Sequence, residues 1–324
     1  MKTKKPRPTT GSPGVVIAII AIGGFMAAWF FWTADIFWQD EGFTFFACLA
    51  ATIFGLWRSS ASGLHILYVR GNAAIGMARL AVVLSIAWCA YVLFVHADPT
   101  IFDYFPSTMT YVLMGLCAIK IFGQAAAELF GPKLRLDVYE RKNLAAGTFI
   151  GGFTLGAGMI FGGALWGEMT PESLEYSAFF EQYLPTEKHA ASDAEKGWWI
   201  TPWFFLMGWL IYVASLMIWL WSEKGNFAAR IVRERRFNDA RAAAYYCIAI
   251  AITITYGVSG DYYGFWESMF GFSFVALPVL AHGVMRPGAD SERARDLEGL
   301  TYIALAVVGV LLMPWFADLL GLRL

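Results

Sequence analysis

Long apolar runs alternate with short polar stretches along the whole chain. A hydrocarbon core of about 30 Å takes about 20 apolar residues in helical form. About nine stretches meet that length, at roughly 14–34, 42–69, 72–97, 107–130, 144–167, 198–222, 240–260, 264–285 and 298–318. Arg58 interrupts the second, so a shorter span of 42–57 followed by an interfacial turn fits as well. Pro278 and Pro314 are expected to kink the last two helices, whose freed carbonyls neighbouring helices can satisfy. The pattern therefore predicts an all-α polytopic membrane bundle of about nine transmembrane helices.

Charge placement orients the bundle. With the loops alternating and the N-terminus in the cytoplasm, 20 Lys and Arg fall on the inner side and 3 on the outer, with Lys120 inside a helix. This bias predicts the N-terminus inside, the C-terminus outside and an odd number of spans. The basic opening MKTKKPR precedes an apolar run with no convincing cleavage site, so it reads as a tail before an uncleaved first helix.

A three-residue pattern recurs at the inner turns. Arg70-Gly71-Asn72-Ala73-Ala74, Arg141-Lys142-Asn143-Leu144-Ala145 and Arg236-Phe237-Asn238-Asp239-Ala240 all fit R-x-N-x-A. Each follows one apolar run and opens the next, which ends near Asp98, Glu168 or Asp261. The chain thus divides into a basic tail (1–13), a first helix (14–41) and hairpin repeats at 42–104, 105–168 and 198–263. An acidic outside loop (169–197) and a C-terminal helix pair (264–324) complete it, and Arg293-Ala294-Arg295-Asp296 marks a degenerate fourth turn. Asn suits an N-cap, and Arg at the cytoplasmic interface binds lipid phosphate and fixes topology. Arg70, Asn72, Arg141, Asn143, Arg236 and Asn238 are accordingly either cap and topology signals or a shared ring at the cytoplasmic mouth.

The second copy carries eight glycines between Glu140 and Glu168, in G-x-x-x-G spacing from Gly147 to Gly167. Such spacing lets helix backbones approach closely in lipid, which predicts a central helix. The stretch ERKNLAAGTFIGGFTLGAGMIFGG, with the helix before it, resembles the bacterial YjfL-like inner-membrane proteins, and RRFNDARAAAYYCIAIAITI looks like a diverged second copy. The resemblance covers roughly 105–261 and implies a repeated multi-pass protein of a bacterial inner membrane. Its shared domain has no known reaction, so no activity follows from it.

Composition agrees. Hydrophobic residues make up 58% of the 324 and charged residues 15%, against about 25% charged in soluble domains. A net charge of −1 gives no field to recruit nucleic acid. The four cysteines are single and form no metal or disulfide pattern, and the only same-side histidine pair, His65 with His282, offers little ground for haem. No cofactor or metal is expected. No hydrolase, zincin, P-loop or dinucleotide motif occurs, so the chain reads as a non-enzyme.

Intramembrane charge supplies the site candidates. Lys120, Gln124 and Glu128 follow at i, i+4 and i+8, a polar stripe that either lines a path or is structural. Asp261 and Glu267 are outer-side acids that mark a helix end or act functionally. The basic segment Lys224–Arg241 is a solvated charge run or a surface for anionic lipid or a soluble partner. The expected function is movement of an ion or small solute. The alternative is a non-transporting scaffold or accessory subunit, with the glycine helix packing partners. Self-association is a further possibility that the sequence leaves open.

Overall fold

The computed structural model describes residues 39–60, 71–97, 99–102, 105–167, 200–223, 226–259, 265–285 and 292–320. The expected first span at 14–34, the acidic loop and His65 lie outside them. Every named element among the described residues is helical, and an isolated bridge pairs Ala97 with Gly167. The helices are α1 (Gln39–Ser60), α2 (Ala73–Val95), α3 (Phe105–Cys117), α4 (Leu134–Glu140) and α5 (Leu144–Ala164). Then come α6 (Ile200–Ser222), α7 (Phe227–Val232), α8 (Phe237–Gly257), α9 (Phe265–Met285) and α10 (Glu292–Leu320). α3 continues as a wide π-helical turn, Ala118–Ala125, and a 3-10 turn, Glu128–Phe130.

Among the described residues five helices are long and apolar enough to cross a membrane, by length and composition: Ala73–Val95, Thr108–Phe130, Leu144–Ala164, Phe204–Ser222 and Arg293–Trp315. The apolar parts of α1 and α9 are shorter, at Phe45–Gly55 and Phe272–Met285. α1 is helical through Ser60, and residues 61–69, on which the longer alternative depends, lie outside the described residues. Pro278 and Pro314 both lie within continuous helices.

The helices form two rows. α2, α5, α8 and α10 pack side by side in that order. They run parallel: Gly147 and Gly162 of α5 meet Ala74 and Trp88 of α2, and Gly152 and Gly163 meet Ala244 and Thr255 of α8. α3, α6 and α9 form the second row and run the other way. Gly115 and Gly123 of α3 meet Phe161 and Thr154 of α5, in reversed order.

The glycine helix is the centre, as its spacing predicts. Of the central window of Leu144–Ala164, 83% is buried inside the chain, against 28% for Arg293–Trp315. A Cβ at Gly152 would stand 2.5 Å from the Cβ of Ala244, so α5 and α8 touch backbone to backbone. Gly156 makes room for the Tyr212 phenol of α6, which donates to the Phe153 carbonyl at 3.2 Å. α2 reaches across with Trp88 Nε1, which donates to the Met159 carbonyl at 3.2 Å. Phe149, Phe153 and Phe161 fill the space between rows. The outward faces carry large exposed apolar side chains, among them Leu80 and Phe94 on α2, Leu210 and Trp221 on α6, and Leu311 and Trp315 on α10. An apolar exterior around a packed interior suits a lipid surrounding.

Candidate functional site

The polar stripe of α3 is only partly preserved. Lys120 and Gln124 lie on the π-helical turn, and the Lys120 ammonium donates to Gln124 Oε1 at 3.1 Å. Gln124 is buried and Lys120 half-buried. Gly55 of α1 lies flat against the Lys120 stem, since a Cβ there would sit 2.9 Å from Lys120 Cβ. Among the described residues no carboxylate pairs with Lys120.

Glu128 departs from the expected face. Its Oε1 accepts from the Leu134 N–H at 3.2 Å, and its carbonyl accepts from Lys133 Nζ at 3.0 Å. The glutamate therefore serves the start of α4 rather than Lys120. The reason is local geometry: an i→i+5 turn takes more residues per revolution than an α-helix. A stripe drawn at α-helical spacing slides off the face as it crosses Ala118–Ala125. The wide turn also frees carbonyls, and the Phe122 carbonyl is met by Trp209 Nε1 of α6 at 2.9 Å.

The turns that carry the R-x-N-x-A pattern share more than that pattern. Asn72 caps α2, its Oδ1 accepting from Ile75 N at 3.3 Å, while its Nδ2 donates to the Val138 carbonyl of α4 at 3.1 Å. Asn143 caps α5, accepting from Ala145 N at 3.1 Å, while its Nδ2 donates to the Ile231 carbonyl of α7 at 2.8 Å. Each cap thus ties its own helix to the short helix that precedes the next cap.

The short helices α4 and α7 end alike. Asn143 N donates to the Asp137 carbonyl at 2.9 Å, and Arg236 N donates to the Arg230 carbonyl at 3.0 Å. Lys142 and Arg235, just before these donors, have φ of 53° and 55°. This is a widened form of the Schellman ending, with a left-handed residue followed by a closing N–H that reaches six residues back instead of five. Gly71 (φ 81°) holds the matching place before Asn72.

That geometry corrects the register of the third motif. Arg236, not Asn238, is the N-cap residue of α8 and makes no side-chain cap bond. Asn238 lies inside the first turn, where its Oδ1 accepts from Arg241 at 3.1 Å. Arg236 therefore occupies the place of Asn72 and Asn143, two residues before the match by R-x-N-x-A. Arg141 pairs locally with Asp137 at 3.0 Å, and Arg236 with Glu234 at 2.7 Å. Arg70 and Asp261 lie outside the described residues, as does the side chain of Glu267 on α9.

A second cluster escaped sequence reasoning. Glu223, at the end of α6, is 1% exposed, and its Oε2 accepts from Arg230 of α7 at 2.5 Å and from Arg295 of α10 at 2.9 Å. Asp239 of α8 pairs with Arg230 at 3.3 Å and with Arg295 at 3.2 Å. Arg295 also reaches Glu298 at 3.2 Å. Tyr302 donates to Glu298 at 2.6 Å and accepts from Trp219 Nε1 at 3.2 Å. Burial lowers the Arg230 pKa, and Asp239 opposes that shift. The network joins α6, α7, α8 and α10 at the end of the bundle where α8 begins, and Arg241–Asp296 adds a flanking pair between α8 and α10. One local signal was visible: Arg295 and Glu298 at i,i+3 on one helix. The pairing of Glu223 with a residue 72 positions away was not.

No family model, curated protein or solved structure matches this chain.

Proposed function

We propose that this is a multi-pass membrane protein that moves an ion or small solute past the Lys120–Gln124 pair. The observation that carries the reading is an ammonium inside the span Thr108–Phe130, bonded to a neutral amide on a π-helical turn. Intramembrane charges tend to be functional, and π-turns recur at functional positions. Proposed with it are about nine spans with an inner N-terminus in a bacterial inner membrane, and kinship with the YjfL-like proteins. Repeated hairpins belong to the same reading, supported by the parallel row of α2, α5 and α8 and by the matched endings at Lys142 and Arg235.

The scaffold reading draws less support. It needs the glycine helix and the Arg230–Arg241 stretch to be open to partners. Instead Gly147, Gly152 and Gly156 lie against the chain's own helices, and Arg230 and Arg241 are engaged in internal ion pairs.

The test is flux in proteoliposomes under ion and solute gradients, comparing wild type with Lys120→Met. Flux that Lys120→Met abolishes, with the protein still folded, supports the path. Folded wild-type protein that passes nothing under any gradient or voltage removes transport. Flux indifferent to Lys120 moves the path elsewhere.

A further inference from the structure

Two adjacent turns present basic side chains from backbone positions that disfavour them. Lys142 and Arg235 stand at φ of 53° and 55°. Glycine takes that conformation at little cost, whereas a residue with a Cβ is strained there. Helices most often end this way on glycine, as the matching position Gly71 illustrates. At both places the chain carries an exposed basic side chain where glycine would be unstrained.

The two turns form one surface. Asn143, directly after Lys142, bonds the last turn of α7 at 2.8 Å, which brings the neighbourhoods of Lys142 and Arg235 together. Lys142, Arg233 and Arg235 are exposed, and none has an ion pair among the described residues. Exposed apolar side chains share the first turn: Leu136 (41%), Tyr139 (36%) and Leu144 (36%). The span Leu144–Ala164 begins directly after Asn143, so the patch lies where that helix would leave the hydrocarbon core.

We propose that this patch binds the phosphate headgroup of an anionic phospholipid, with Lys142, Arg233 and Arg235 on the phosphate and Leu136, Tyr139 and Leu144 along the acyl chains. The chemistry favours lipid over an acidic peptide. A peptide would satisfy the cations but leave the apolar side chains at a membrane boundary unused, whereas a phospholipid supplies both partners. The proposal rests on the membrane reading of the chain and not on transport.

The substitution that tests it relaxes the backbone while removing the charge. Lys142→Gly with Arg235→Gly is purified in detergent, and binding of phosphatidylglycerol and of phosphatidylcholine from mixed micelles is counted by native mass spectrometry. Each basic residue near an anionic surface is worth about fivefold, so the wild-type preference for phosphatidylglycerol is expected to fall about 25-fold. Thermal stability is expected to stay level or rise, because glycine relieves both left-handed positions. Lys142→Arg with Arg235→Lys should keep the preference.

An unchanged preference in the glycine variant overturns the proposal. So does an equal loss per charge from Arg135→Gln, whose side chain is already beside Glu140 at 3.5 Å, because the patch would then act only as diffuse charge. Binding of a polyglutamate peptide in place of lipid, lost in the same glycine variant, would also overturn it by assigning the surface to protein.

Discussion

Arg295 is the hub of the buried network, and replacing it with methionine tests the account of that end of the bundle. Its guanidinium meets Glu223 at 2.9 Å, Asp239 at 3.2 Å and Glu298 at 3.2 Å. It is 10% exposed, and the three acids are 1%, 9% and 7% exposed. Among the described residues the network holds three carboxylates and two guanidinium groups. Arg295→Met removes one of the two guanidinium groups that these three carboxylates share among the described residues. Breaking a buried pair by removing one partner costs about 3–5 kcal/mol, and burial this complete calls for little solvent discount. Removing an acid should cost less. Glu298→Gln takes away one of three carboxylates, leaves Glu223 and Asp239 on Arg295, and keeps a side chain able to accept from Tyr302, at about 1 kcal/mol.

Reversible unfolding in mixed micelles would measure these costs, with tryptophan fluorescence as the readout, because Trp219 is bonded to Tyr302 within the cluster. If Arg295→Met unfolds within about 1 kcal/mol of wild type at neutral pH, or if Glu298→Gln costs as much, the network does not hold these helices together.

Two further predictions test the turns and the central helix. Asn143→Ala removes a cap and a tie to α7 and should cost about 1–2 kcal/mol in the same unfolding assay. Asn238→Ala, which touches no cap, should cost less than about 0.5 kcal/mol; equal costs would restore the R-x-N-x-A register. Gly152→Val drives a side chain into the Ala244 backbone, whose Cα lies 2.6 Å from a Cβ at that position. It should cost about 1–3 kcal/mol and lower the yield of monodisperse protein in size-exclusion chromatography, whereas Leu144→Val at an exposed position should not.

The architecture was legible wherever one local rule decided it. Apolar run length placed α2, α5, α6, α8 and α9 to within a few residues, because the hydrocarbon thickness fixes helix length, while α10 starts six residues before the expected 298. Glycine spacing named α5 as the centre, because only a helix without side chains on several faces can press against α2, α6 and α8 together. Legibility failed where geometry departs from a regular helix. The π-turn at Ala118–Ala125 broke the Lys120–Glu128 stripe, and nothing in the apolar pattern signals a wide turn. Sequence matching placed Asn238 in register, but the left-handed residue sets the cap, and Arg235 is no obvious left-handed residue. The network at Glu223 joins four helices through long-range pairs, which single-helix spacing does not encode.

That network also bears on the charge count used to orient the chain. The positive-inside rule treats each Lys or Arg as a cation that the membrane potential and lipid charge act on. Arg230, Arg241 and Arg295 do not qualify equally, because each is paired with a carboxylate of the chain itself. Setting these three aside still leaves the side proposed as inner with many more basic residues than the three on the other side. Lys142, Arg233 and Arg235 remain exposed at that end and without an ion pair among the described residues. The two groups of basic residues thus differ in what they face: the paired ones join α6, α7, α8 and α10, and the exposed ones are left to meet the membrane surface in the proposed orientation.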